Sequence, residues 1–280
     1  MKDHALILEG GGMRGVYTAG VLEYFLENEV RFPYVIGVSA GASYAFSYIS
    51  GQKGRNKRIF ADYIRDKRYL SLRNYLKEGS LFGMNFIYDV LPNELEIFDY
   101  KAFKESESTF YIGVTDVETG EASYYEKNEA SDPNMIVRAS SSLPIISPIV
   151  HYEDKLYLDG ALADPLPIEK AIKDGYDKFV VVLTRNAGYR KPNSKVSFFV
   201  KQKYKKYPNL LKALESRSEV YNRQLELIEK LEKEGKAIVI RPSEKLQVER
   251  MTKNREKLIS LYKLGYEDCK KNPIIVKMPE

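Results

Sequence analysis

Tyr34-Val35-Ile36-Gly37-Val38-Ser39-Ala40-Gly41-Ala42-Ser43-Tyr44-Ala45-Phe46 is the stretch on which the reading of this chain turns. A short apolar run enters Gly37-Val38-Ser39-Ala40-Gly41, and a helix-like run leaves it. This is G-x-S-x-G at a strand–turn–helix junction. A sharp turn there lifts a serine hydroxyl above the end of a sheet, and the glycines relieve clashes at the bend. By themselves the five residues fit a small-residue turn as well as a nucleophile.

Upstream, Ala5-Leu6-Ile7-Leu8 is continuously apolar, as in a strand buried on both faces. Glu9-Gly10-Gly11-Gly12-Met13-Arg14-Gly15 follows, and then Val16, Ala19, Val21, Leu22, Phe25 and Leu26 recur at helical spacing. The opening of the chain therefore reads β-α-β-α. A right-handed crossover makes the two strands parallel. Both the glycine loop and the Ser39 turn then lie at carboxyl ends of strands, where open α/β sheets place their sites.

Downstream, residues 56–70 read as a helix. The apolar stretch 79–98, with Phe82, Met84, Ile87 and Val90, admits two readings: a core helix, or a wall for a lipid-like substrate. Residues 109–117 and 121–125 flank Glu118-Thr119-Gly120 as a hairpin, with Asp116 either a catalytic acid or, as is commoner beside a turn, a turn-stabilising one. A helix starts at Ser131-Asp132-Pro133, where early proline does no harm, and stops before Pro144. A second hairpin, 149–158, leads into Asp159-Gly160-Ala161. Residues 168–173 are helical, 178–184 form another buried strand, 237–240 a further one, and 248–271 a final helix. The fold class is thus α/β, with a mainly parallel sheet between helices and a helical C-terminal region. The expected division is a catalytic domain over 1–185 and a basic, mostly helical extension over 186–280.

With 280 residues, 44% apolar residues, 12 Phe and 22 Tyr, the chain can bury a sizeable core. Its net charge of +5 is too small to mark a nucleic-acid partner. One cysteine, Cys269, excludes an internal disulfide and a cysteine metal cluster. The N-terminal segment lacks signal-peptide character, and no apolar run approaches the ~20 residues that span a bilayer. A cytoplasmic location is expected, without cofactor or metal.

Gly10, Gly12 and Gly15 also satisfy G-x-G-x-x-G. A dinucleotide site would need a carboxylate at the end of the second strand, and Ile36-Gly37-Val38-Ser39 offers none. A nucleotide-binding or catalytically silent scaffold is the alternative. The other use of such a loop is an oxyanion hole: consecutive glycines leave backbone N–H groups bare at a helix N-terminus. Each such donor contributes ~3 kcal/mol in the transition state. A serine nucleophile also needs a base. His4 opens the first strand, roughly 17 Å from the Ser39 end of the sheet. His151 lies in the second hairpin, facing Leu156 and about 10 Å short of Asp159. Neither fits, so Asp159 is the best remaining base, although an aspartate before glycine is also common in plain turns.

Together, Gly10-Gly11-Gly12-Met13-Arg14-Gly15, Gly37-Val38-Ser39-Ala40-Gly41 and Asp159-Gly160-Ala161 resemble the patatin-like phospholipase family in order and spacing. Ala139-Ser140 through Pro144 resembles that family's A-S-x-x-x-P segment. The resemblance covers residues 5 to about 185, and the remainder resembles the C-terminal extension of some bacterial members. It implies a three-layer α/β/α fold and metal-free hydrolysis of phospholipid or other acyl esters by a Ser-Asp dyad. Ser39 would be the nucleophile and Asp159 the base. Gly11 and Gly12 amides, helped by Arg14, would hold the oxyanion, with Gly10 and Gly15 completing the loop. Gly37, Gly41 and Gly160 would support elbow and dyad. Glu9 and Ala161 stand where the family commonly has Asp and Gly. Residues 186–214 carry eight Lys or Arg and no acid, with Phe198, Phe199, Tyr204 and Tyr207 interleaved. A solvated helical face and a docking surface for anionic membrane are the two readings, the latter at ~1 kcal/mol per basic residue near the surface.

Overall fold

The computed structural model describes residues 3–193 and 195–272. In chain order the elements are β1 His4–Leu8, α1 Val16–Glu27, β2 Tyr34–Val38, α2 Ala40–Ile49, α3 Arg55–Tyr63, α4 Leu72–Glu78, α5 Tyr100–Glu105, β3 Thr109–Asp116, β4 Ala122–Glu126, α6 Pro133–Ser140, β5 Val150–Tyr152, β6 Lys155–Asp159, α7 Ile168–Lys173, β7 Lys178–Val182, α8 Phe198–Lys203, α9 Pro208–Lys233, β8 Ala237–Ile240 and α10 Arg255–Lys270. A π-helix spans Phe86–Leu95.

The strands pair along the path β5-β6-β3-β2-β1-β7-β8, with β4 also on β3. From β3 to β8 along this path every pairing is parallel. The β3–β4, β3–β6 and β5–β6 pairings are antiparallel. Alternate residues of the central strands face opposite layers. Leu6, Leu8, Val35, Val180 and Val182 pack with α1, α2 and α10. Ala5, Ile7, Tyr34, Phe179 and Val181 pack with α7 and α9. This is a three-layer α/β/α arrangement with a mainly parallel sheet and a helical C-terminal part. Of that C-terminal part, β8 extends the sheet beside β7, and α9 and α10 cover its two faces.

One detail of the register positions the site. β2 lies along residues 109–113 of β3, ending at the Val38–Gly113 pair. β6 takes over at Val114–Asp159 and runs to Asp116–Tyr157. Thr109 N–H donates to Pro33 O and Val117 N–H to Leu156 O, so residues 109 and 117, which have the same parity, turn the same edge to β2 and β6. Asp116 N–H, of opposite parity, donates to Glu121 O in the β4 hairpin. β2 and β6 therefore meet head-on against one edge of β3, and both carboxyl ends stop at the junction.

The π-helix differs from the plain core helix that was one reading of the 79–98 stretch. Its Phe86 and Leu91 are buried in the core, while its Ile87, Tyr88 and Pro92 line a cleft. Two boundaries also shift. The 56–70 helix ends at Tyr63, and Leu70 instead bridges to Phe82. The last helix begins at Arg255, because Asn254 caps it by accepting Lys257 N–H at 2.8 Å; Val248 is buried ahead of it in loop.

Candidate active site

Ser39 occupies the elbow between β2 and α2 at φ 55°, ψ −128°, a left-handed conformation costly for a residue with a side chain. Surrounding contacts fix it. Its amide donates to Ser140 Oγ at 2.8 Å, and its carbonyl accepts Ser43 N–H at 3.0 Å. Such crowding leaves no room for side chains nearby. A Cβ on Gly10 would stand 2.9 Å from Ser39 Cβ, and one on Gly41 2.6 Å from Leu8 O. Gly15 likewise abuts Ala40, Gly37 abuts Ala42, and Gly160 abuts Gly113.

At the head-on junction of the two strands, Ser39 Oγ donates to Asp159 Oδ2 at 2.7 Å. The other carboxylate oxygen, Oδ1, accepts Ala161 N–H at 2.8 Å. Thr115 Oγ1 donates to Asp159 O at 2.9 Å, and Asp159 N–H donates to Ser142 O at 2.9 Å. Asp159 is 1% exposed and Ser39 7%. Burial raises the Asp159 carboxyl above the ordinary range, while the Arg217 charge, the Ser39 hydroxyl and the Ala161 amide pull it back down. Neither histidine approaches. His151 is exposed on β5 opposite Leu156, and His4 lies beside Asp3 at the start of β1.

The glycine loop lies beside this pair. Among the described residues, no hydrogen bond is made by the Gly11 or Gly12 amide. Gly12 sits at φ 56° and opens the 3-10 turn Gly12–Gly15. Glu9 fastens the strand-to-loop junction: its carboxylate accepts Thr184 N–H at 2.5 Å and Tyr221 O–H at 3.1 Å. Arg14 is buried, and its Nε has no partner among the described residues. Burial pushes its guanidinium down to about 10, with Arg185 and Arg250 adding repulsion against the pull of Glu9.

Two cavities meet at Gly12, Ser39 and Leu143. The larger, about 970 Å³ including its open mouth, is walled by apolar groups such as Ile59, Phe82, Met84, Ile87, Phe98 and Val137. The smaller, about 390 Å³ on the same measure, is polar and holds Asp159 with Arg14, Lys191, Arg217 and Arg250. The last three come from beyond residue 185. Lys191 belongs to the basic 186–214 stretch but turns inward, unlike the exposed Lys201, Lys203, Lys205 and Lys206. Arg217 and Arg250 lie in mixed-charge sequence with no motif, so no local pattern marks them. Among the described residues no group of three or more His, Cys, Asp or Glu gathers as metal ligands, and no helix is long and apolar enough to cross a membrane. Cys269 is a buried thiol, pushed up by its burial.

A serine on a strained strand-to-helix turn, a buried acid from a strand meeting it end to end, and a glycine loop on the neighbouring strand define the patatin class of fold, and the chain belongs to the patatin-like phospholipase family, whose family model matches residues 6–172. A second family model, a domain of unknown function (DUF6363), matches residues 207–272. The chain is similar to the uncharacterized protein YjjU of Escherichia coli strain K12, with 27% identity over 184 residues, 64% of this chain and 51% of that protein. It is also similar to the probable lipid hydrolase 463L of Invertebrate iridescent virus 6, with 22% identity over 60% of this chain and 63% of that protein. Lysophospholipase nte1 of Emericella nidulans is 27% identical over 58% of this chain and 10% of its own length. The chain thus spans less than two thirds of each of these relatives.

Proposed function

We propose that this chain hydrolyses acyl esters of lipids, phospholipid or lysophospholipid, with Ser39 as nucleophile and Asp159 as general base. The 2.7 Å Ser39 Oγ–Asp159 Oδ2 hydrogen bond carries the reading. As Oγ attacks the ester carbonyl, its proton passes to Oδ2, and the carbonyl oxygen becomes the oxyanion. Gly11 and Gly12 amides receive that charge with Arg14 beside them, and Gly10 and Gly15 keep the loop close. Collapse breaks the ester C–O bond, and the departing alcohol takes the proton from Asp159. The acyl group is left on Ser39. Water then attacks it, giving a proton to Asp159, and the second collapse frees the fatty acid and restores Oγ–H. Burial raises Asp159, which brings its basicity toward what the proton transfer needs. The apolar cleft suits the acyl chain.

The test is release of p-nitrophenol from p-nitrophenyl acyl esters by wild type, Ser39→Ala and Asp159→Asn. Loss of roughly 10³-fold or more in both variants is expected for members of one catalytic unit. Equal rates in all three would remove the dyad.

Residues 1–185 would then be the catalytic domain and 186–280 an extension packed on it, a division supported by the family matches at 6–172 and 207–272. We also infer a cytoplasmic enzyme that touches anionic membrane peripherally through residues 186–214, and no role with nucleic acid. Phe198 and Phe199 are 77% and 64% exposed amid exposed lysines. Leu72 and Leu76 of α4 are similarly bare. Both helices are tied to one loop, through Ile145 N–H to Tyr204 and Leu81 N–H to Ile146 O. Sedimentation with phosphatidylglycerol-containing vesicles should fall with added salt and fall further in Phe198→Ser/Phe199→Ser. Salt-independent sedimentation would remove the membrane contact.

A further inference from the structure

The polar cavity is more cationic than an ester carbonyl requires. Arg14, Lys191, Arg217 and Arg250 line it against two carboxylates, Glu9 and Asp159. Both acids are already engaged: Glu9 by Thr184 and Tyr221, and Asp159 by Ser39 and Ala161. Among the described residues none of the four cations forms a salt bridge, and Arg14 is buried with its Nε unpartnered. Arg217 spends only its Nε, on Ala161 O at 2.6 Å. The Lys191 backbone is clamped on both sides by the Asn222 amide, at 2.8 and 3.0 Å. Its ammonium lies 5.4 Å from the Tyr221 ring centroid.

Four cations against two carboxylates leave like charges that repel one another, and partial burial adds a desolvation cost. Lys191 bears this out: burial, with Arg217 and Arg250 close by, pushes it down to about 7. A bound anion would relieve both costs. Guanidinium groups match phosphate oxygens in paired hydrogen bonds, and an ammonium adds a point charge. A zwitterionic head group would instead bring a further cation into a cavity that already holds four. The cavity adjoins Ser39, so its anion would sit a few bonds from the ester under attack.

We propose that this cavity is the subsite for a terminal phosphate on the lipid substrate, held by Lys191, Arg217 and Arg250 of the C-terminal region. It selects acyl esters bearing a phosphate monoester over zwitterionic and neutral ones. This deepens the hydrolase reading and rests on it, and it gives the 207–272 segment a role in choosing substrate.

The full chain should be assayed with monoacylglycerol phosphate, monoacylglycerol phosphocholine and monoacylglycerol of one acyl length, kept below aggregation, by fatty-acid release. The phosphate ester should have the highest kcat/KM. Lys191→Gln and Arg250→Gln should each lower its kcat/KM relative to the neutral ester by roughly tenfold, the scale of one charged hydrogen bond. Inorganic phosphate should compete with the phosphate ester. Titration calorimetry of Ser39→Ala with monoacylglycerol phosphate supplies a readout without turnover, and binding should weaken when Lys191→Gln is added. Melting curves identify any variant that fails to fold, in which case the other variant decides. Hydrolysis without head-group preference, or ratios unmoved by both substitutions, would overturn the subsite and leave the hydrolase standing. Faster turnover of the neutral ester with inorganic phosphate would assign the cavity to a free anion and also overturn the proposal. Lys191-dependent binding without hydrolysis of any ester would leave only a phosphate-binding cavity, removing the hydrolase and with it the selection among substrates.

Discussion

The Ser140 hydroxyl accepts the Ser39 amide hydrogen at 2.8 Å and donates its own proton to Gly113 O at 2.6 Å. It thus plugs the junction where the carboxyl ends of β2 and β6 meet along β3, and it holds the elbow in its left-handed conformation. Replacing Ser140 by alanine leaves two buried backbone groups without this partner and should cost roughly 2 kcal/mol of stability. Ser140 is a positioning residue, so kcat should fall roughly tenfold while KM moves less. Threonine should restore part of the loss. Urea unfolding and ester kinetics read both effects, and an unchanged kcat would show that the elbow holds itself.

The acid limb of the pH profile should report Asp159. In the proposed mechanism its ionised form is the base, and burial raises its pKa against the opposing Arg217 charge. Removing that charge leaves burial less opposed, so the pKa rises again. In Arg217→Gln the limb of kcat/KM toward p-nitrophenyl esters should therefore move to higher pH. A limb that stays in place would point to a different base.

Lys191 should shape the neutral and alkaline side. It is cationic below about 7 and neutral above. The groups that act on it are the cations Arg14, Arg217 and Arg250, the acid Glu9 and the Tyr221 ring. As pH rises through neutrality its charge is lost, and KM for a phosphate-bearing ester should climb. In Lys191→Gln this rise should flatten. A wild-type KM for the phosphate ester that is flat across neutrality would place the lysine outside anion binding.

The α1–α10 crossing should tolerate little. A Cβ on Gly265 would lie 2.1 Å from Tyr17 O, and one on Gly20 2.0 Å from Tyr262 O. Gly265→Val must force the helices apart, at a cost of about 3 kcal/mol. Thermal and urea melts measure it. A melting temperature equal to wild type would mean the helices can separate without loss.

Much of the frame can be read from the sequence because its signals are local. The apolar runs before Gly10 and Ser39, the Gly175 stop and the Asp132-Pro133 start each announce an element within a few residues. Ser39 and Asp159 were reachable through motif and through the shortage of histidines. Their meeting depends on β3 sharing one edge between two strands, a long-range pairing that no local pattern encodes. Lys191, Arg217 and Arg250 are less legible still. Lys191 is one cation among the eight of the 186–214 stretch, Arg217 and Arg250 sit in mixed-charge sequence, and only the tertiary fold turns these three inward. The π-helix at 86–95 hid for a related reason: its apolar residues fit a core helix and a cleft wall equally well.

Met13 N–H donates to Arg250 O at 3.0 Å, which ties the glycine loop to a residue near the far end of the chain. Proteins are synthesised from the N-terminus onward. A growing chain therefore carries its serine elbow long before it carries the carbonyl that braces the loop or the cations of the polar cavity. Until Arg250 has been made and folded back, an intermediate on the ribosome that has already formed its first strands lacks the brace on its glycine loop and the full set of charges around Asp159.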